Sequence, residues 1–163
     1  MSTVHLAFTP DPAYVRMARL VAAAVARRAG VADELLDEVR LAISEACSRA
    51  VALHRRLGLT DPIDVTMTDG GRFTVRVTDR GPAESAQEPG ETTLDIMAEV
   101  AVATGRVPED EDALAAGVGL ALLTGLVSDL TVNGTSDGEG TEVRMSWPAN
   151  RRAGNSSKRH DLM

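Results

Sequence analysis

The spacing of apolar side chains predicts a strand followed by two helices in the first third of the chain. Residues 4–9 alternate apolar and polar side chains, as in a half-buried strand, and the Thr9-Pro10-Asp11-Pro12 run ends this pattern. Helical spacing then continues to about residue 29 and resumes from about residue 32 to residue 57, with a glycine after each segment. A broad apolar surface of the first helix comprises Val15, Ala18, Leu20, Val21 and Val25.

The second half of the chain reads as two hairpins separated by a long connection. Residues 63–68 and 72–78 alternate around Asp69-Gly70-Gly71, which is a strong turn signal. Residues 130–135 and 141–147 form a second such pair, and a third helix is predicted over residues 119–127. Hairpin strands with packed helices indicate an α+β fold, a two-layer α/β sandwich with a mostly antiparallel or mixed sheet covered on one face.

We expect one folded domain over residues 1–147 and a disordered basic tail over 148–163. Residues 82–116 have no clear core element beyond 94–102, and a connection of this length is usually functional or disordered. This connection carries nine acidic residues and a single arginine.

Composition narrows the classes of function. Aromatic residues make up 2% of the chain and the net charge is −7, which argues against base stacking and against binding a phosphate backbone. A single cysteine, Cys47, excludes an internal disulfide and fits a cytoplasmic location, and we expect this thiol to be a small buried apolar group. No apolar stretch is long enough to cross a membrane.

The second helix contains the first candidate for chemistry. Glu45 and Arg49 lie four residues apart and are therefore neighbours on one helix face, beside an apolar stripe at Val39, Ile43, Ala46 and Ala50. The two charges can form an intrahelical salt bridge on a solvated face, or they can address one ligand site together. Spacing alone leaves both interpretations open.

Two glycine motifs follow. Asp79 continues the apolar row of the strand that precedes it, so that its carboxylate either caps a turn through its own backbone or accepts a bond from a ligand amine beside Gly81. Gly117 and Gly119 open the third helix, where backbone N–H groups can bind an anion, although a flexible loop entering a helix would look the same.

With these motifs in this order, the chain resembles the anti-sigma-factor serine-kinase branch of the GHKL (histidine-kinase-like) ATPase superfamily. The matching stretches are Ala42-Ile43-Ser44-Glu45-Ala46-Cys47, Val77-Thr78-Asp79-Arg80-Gly81, residues 117–123 and Gly140-Thr141-Glu142-Val143. The similarity as a whole covers roughly residues 3–147. The resemblance implies the Bergerat sandwich fold with residues 82–116 as the ATP lid.

The resemblance also implies roles for individual residues. Asp79 would receive the adenine amino group, Thr141 would support Asp79, and Gly81 would shape the pocket floor. Glu45 would be the general base that helps to deprotonate an attacking serine. The residues that would border the phosphates are Gly117, Gly119 and Leu120.

The partners implied by the family are a sigma factor and an anti-anti-sigma (STAS) protein, with the chain as a homodimer. No direct contact with nucleic acid or membrane is expected.

One position departs from the family pattern. Where the family has an asparagine whose oxygen helps to hold Mg²⁺, this chain has Arg49, which offers five donors and no acceptor. Arg49 could pair directly with a phosphate but could not ligate the metal. The first glycine motif is also incomplete, since Gly81 is followed by Pro82 and Ala83.

The sequence therefore favours an anti-sigma regulator that acts by binding its partners, with ATP binding left open, and with Mg²⁺ and kinase activity in question. Two other functions stay open, an active Mg-ATP-dependent serine kinase of the STAS partner and a small-molecule or nucleotide sensor. An unrelated α/β enzyme has little support, because His5, His54 and His160 lie far apart with no cysteine at ligand spacing.

Overall fold

The computed structural model describes residues 1–82, 123 and 125–150. Its regular elements, in chain order, are β1 (Ser2–Phe8), α1 (Val15–Ala29), α2 (Leu36–Leu57), β2 (Ile63–Asp69), β3 (Arg72–Asp79), β4 (Leu130–Gly134) and β5 (Thr141–Pro148). Short 3-10 turns at Pro12–Tyr14 and Asp33–Leu35 lead into the two helices. Neither of these helices is long and apolar enough to cross a membrane.

The five strands form one antiparallel sheet in the order β1-β2-β3-β5-β4. Alternate residues of β2, β3 and β5 are buried, so one sheet face packs into the core and the other carries polar side chains. Both helices pack on the buried face. The predicted α+β two-layer sandwich is confirmed.

The fully buried face of the first helix consists of alanines. Its buried residues are Ala18, Ala22, Ala23, Ala26 and Ala29, whereas Leu20 is 55% exposed. Leu20, which the spacing placed on the apolar surface of this helix, therefore lies outside its buried face. An alanine face allows close approach to α2 and the sheet, and Val15, Val21 and Val25 pack against the edge of this core as partly buried residues.

The second helix follows its predicted pattern. Val39, Ile43, Ala46 and Ala50 are all buried, as the apolar stripe indicated. Asp11, one of two predicted caps, accepts a hydrogen bond from the Ala13 N–H at 2.9 Å and so caps the turn before α1.

The end of the sheet extends past the predicted domain boundary at residue 147. Strand β5 includes Pro148, and the Asn150 N–H donates to the Gly30 carbonyl at 3.0 Å. Leu123 and residues 125–126 are helical, as expected for the end of the third helix. Gly117, Gly119, Leu120, residues 83–116 of the lid and residues 151–163 of the tail lie outside the described residues.

Two glycines that end the helices offer a matched test of this packing. Gly30 and Gly58 both have a left-handed backbone, but a Cβ at Gly30 would overlap the Asn150 carbonyl, whereas a Cβ at Gly58 would meet nothing within 4 Å. We expect Gly58→Ala to cost about 1 kcal/mol from backbone strain alone, and Gly30→Ala to cost at least ~2 kcal/mol. Urea denaturation measures both, and equal losses would show that the contact between Asn150 and Gly30 does not form.

Candidate functional site

Asp79 lies at the inner end of strand β3, in the row of side chains that faces the core. Phe73, Val75 and Val77 precede it in this row and are fully buried, and Asp79 itself is only 1% exposed. A carboxylate in such surroundings is costly to bury unless its oxygens are paired. The alternation seen in the sequence therefore placed this residue correctly and required a partner for it.

The partner is Arg49. Its Nη1 donates to Asp79 Oδ2 at 2.9 Å, and the Arg49 side chain is only 4% exposed. The two residues are 30 positions apart in the chain, so that this bond joins the middle of α2 to the end of β3. The charges neutralise each other away from water, where an ion pair is screened least.

Glu45 does not take part in this pair. The intrahelical bridge between Glu45 and Arg49, one of the two interpretations that the spacing left open, does not form, and Arg49 pairs with Asp79 instead. Glu45 is half-buried, and its side chain has no hydrogen bond or ion pair with any other residue in the described part of the chain.

The second oxygen of Asp79 is used by its own turn. Asp79 Oδ1 accepts from the Gly81 N–H at 2.9 Å, the Asx-type turn that was one of the two sequence interpretations. A Cβ at Gly81 would overlap the Leu53 side chain, and one at Gly140 would overlap the Asp79 carbonyl oxygen. The absence of a side chain at Gly81 and Gly140 therefore allows Leu53 and the neighbouring backbone to pack closely around Asp79.

His54 holds the backbone that follows Asp79, a role that the sequence did not reveal. Its Nε2 accepts from the Arg80 N–H at 2.9 Å, so the opposite ring nitrogen, Nδ1, must donate to the Asp61 carbonyl at 3.0 Å. The ring is fully buried, and both of its nitrogens are paired with backbone groups. The only available signal was its position near the end of α2, which does not by itself indicate a contact with β3.

Thr141 is the cross-strand partner of Asp79 in the pairing of β3 with β5, so both side chains lie on the same face of the sheet. The residue is fully buried, and its hydroxyl has no hydrogen-bond partner in the described structure. Buried hydroxyls normally have a hydrogen-bond partner, so Thr141 is an exception that could donate to or accept from a bound ligand.

Arg49 stands where the sequence resemblance implies an oxygen ligand for Mg²⁺, and a guanidinium offers a cation and no acceptor there. Within the described ranges, no group of three His, Cys, Asp or Glu residues could hold a metal ion. Asp79 and Thr141, which would bind the purine, fit this role only in part. The Thr141 hydroxyl has no partner among the described residues, but each oxygen of Asp79 already accepts a bond from the protein.

Cys47, two residues before Arg49 on α2, is not a reactive thiol. Burial raises its pKa to about 12, so the thiolate does not form near neutral pH. The residue behaves as the small apolar group that the sequence indicated.

We expect the buried pair to dominate the stability of this region. Arg49→Met and Asp79→Asn should each lower the free energy of unfolding by about 3 kcal/mol, because each leaves the other member of the buried ion pair without its charged partner. The double variant should lose less than the sum of the two. Arg76→Met, the same change at a half-exposed arginine of β3, should cost no more than about 0.5 kcal/mol. Additive single losses in a urea-unfolding cycle would show that the pair is not formed.

Thr141→Val tests whether the unpaired hydroxyl serves the fold. Valine has the same shape and removes a buried group that has no partner, so we expect stability to be unchanged or to rise by about 1 kcal/mol. Thermal or urea unfolding of the variant measures this directly. A loss of more than ~1 kcal/mol would mean that the hydroxyl has a partner in solution.

Comparison with known proteins assigns this chain to a family. Residues 8–147 match the model of the histidine kinase-like ATPase domain. A comparison with curated proteins gives no significant match.

Among solved structures, the chain resembles the crystal structure of the RsbU and RsbW domains of Rv1364c from Mycobacterium tuberculosis, with a TM-score of 0.57 and 18% sequence identity. The match covers 92% of this chain and 34% of that chain, so this chain spans about a third of its structural neighbour. At this identity the likeness supports the fold alone. Because the family model covers most of its length, the chain belongs to the histidine kinase-like ATPase domain family, whose fold implies nucleotide binding.

Proposed function

We propose that this chain is an anti-sigma regulatory factor of a partner-switching system. It would bind a sigma factor and, in exchange, a STAS-domain antagonist, and it would act through binding rather than through phosphorylation. The family and the RsbW domain in the structural neighbour support the type of regulator. The homodimer implied by the sequence resemblance is part of this proposal.

The observation that carries the binding-only mechanism is the buried pair of Arg49 and Asp79. Phosphoryl transfer in kinases depends on metal ions that bridge and neutralise the phosphate oxygens. Arg49 stands where the resemblance places a metal ligand. Its guanidinium is paired with the Asp79 carboxylate, with 2.9 Å between Nη1 and Oδ2. A cation at this position repels Mg²⁺ and supplies no oxygen to hold it.

Glu45 alone would not restore kinase activity. It is half-buried and without an ion-pair partner among the described residues, so its carboxylate is available as a base. A base that removes a serine proton still needs the metal that stabilises the charge on the transferring phosphate. The site thus keeps one part of the kinase machinery and has lost another.

Phosphate transfer from labelled Mg-ATP to the STAS-domain proteins of the same genome tests this proposal. We expect wild-type transfer below about 0.01 s⁻¹, against ~1–100 s⁻¹ for typical kinases. Arg49→Asn, which returns an amide oxygen to this position, should increase both Mg-ATP affinity and transfer. Arg49→Asn combined with Glu45→Gln is the control and should lose the gained transfer.

Pull-down of purified sigma factors and STAS proteins on the wild-type chain tests the partners separately. The expected result is one sigma factor bound and released by one STAS protein. Ordinary kinase rates in the wild type would disprove the binding-only mechanism, and failure to retain any sigma factor would disprove the partner assignment.

A further inference from the structure

We propose that Arg49 is an internal ligand of Asp79 that closes the purine-binding end of this domain. In this view the guanidinium takes the carboxylate oxygen that an aminopurine would need, and adenine nucleotides bind well only when Arg49 is removed. The inference concerns the chain alone, and it stands whether or not the partner proteins are those proposed above.

The guanidinium competes directly with a purine amino group for the same acceptor. In the guanidinium and in an aminopurine, the N–H donor is attached to a carbon that also carries another nitrogen. Each group can therefore donate to a carboxylate oxygen with similar geometry. Arg49 donates to Oδ2 at 2.9 Å and the Gly81 N–H donates to Oδ1 at 2.9 Å, so each oxygen of Asp79 already accepts one bond from the protein. A purine amino group would have to displace the guanidinium from Oδ2 or share that oxygen with it. A charged donor also makes the stronger bond, and it is tethered to the same chain.

Thr141 is the independent sign that a polar ligand site lies under this contact. Its hydroxyl is fully buried beside Asp79 across the strand pair and has no partner among the described residues. Valine would fill the same volume and suits a strand at least as well, so packing does not explain the hydroxyl. A buried carboxylate next to an unsatisfied hydroxyl is an acceptor and donor set that suits the amino and ring nitrogens of a purine.

The closing contact is an ion pair between two side chains rather than a filled hydrophobic core. Removal of Arg49 therefore exposes polar groups that a ligand can use. Its own charge would have an alternative partner if it were displaced, because Glu45 lies one helical turn away and is unpaired in the described structure. Arg49 thus decides whether this site accepts a nucleotide.

The test is binding of adenosine and of ADP, without Mg²⁺, to the full chain by isothermal titration calorimetry. Arg49→Met should bind both probes at least about 10-fold more tightly than the wild type, because one hydrogen bond to a charged acceptor is regained. Inosine, which has a carbonyl in place of the amino group, should show no such gain. Arg76→Met is the matched control and should leave binding unchanged.

Asp79→Asn introduced into Arg49→Met should abolish the gain, which would locate the bound purine at Asp79. Equal affinities of the wild type and Arg49→Met would overturn the proposal, and so would an equal gain for inosine. If Arg49→Met does not fold, the wild type supplies the test through its amide NMR spectrum. Millimolar adenosine should leave the resonances of Asp79, Gly81 and Thr141 in place, and saturable shifts at these residues would refute the closure.

Discussion

The ion pair between Arg49 and Asp79 is the contact around which the rest of the site is arranged. Neither charge could lie in this core alone, since an uncompensated buried charge costs several kcal/mol. Together they join the middle of α2 to the end of β3 at 2.9 Å, with both side chains almost fully removed from water. The position of the long helix over the sheet is therefore set by a polar contact as well as by apolar packing.

The neighbouring groups protect this contact from water and fix its geometry. Gly81 allows the chain to turn close to Asp79 and donates to its second oxygen, while Leu53 fills the space beside that turn. His54 accepts from the next backbone N–H and so ties the same segment to α2 a second time. Each group is satisfied by the protein itself, and Thr141 is the exception among these residues.

Much of the fold could be predicted from the sequence, because the hydrophobic periods and turn residues act locally. The hairpin strands, the apolar stripe of α2 and the burial of Asp79 all follow from spacing. The burial of the α1 alanines in place of Leu20 could not be predicted this way, since it depends on how closely two elements approach. The bond from Arg49 to Asp79 depends on the same tertiary geometry, because helical spacing offers Glu45 as the nearer partner.

A nucleotide-binding fold can keep its shape without its ligand when the protein supplies an equivalent contact. Here a guanidinium satisfies the carboxylate that the sequence resemblance assigns to adenine, and it does so from the position assigned to a metal ligand. Under the proposed assignments, this one residue affects both ends of the site, because its long cationic side chain would repel the metal and pairs with the acceptor assigned to the purine. An intramolecular contact of this kind is present at every nucleotide concentration, so a regulator built on it would respond to its protein partners rather than to the supply of ATP.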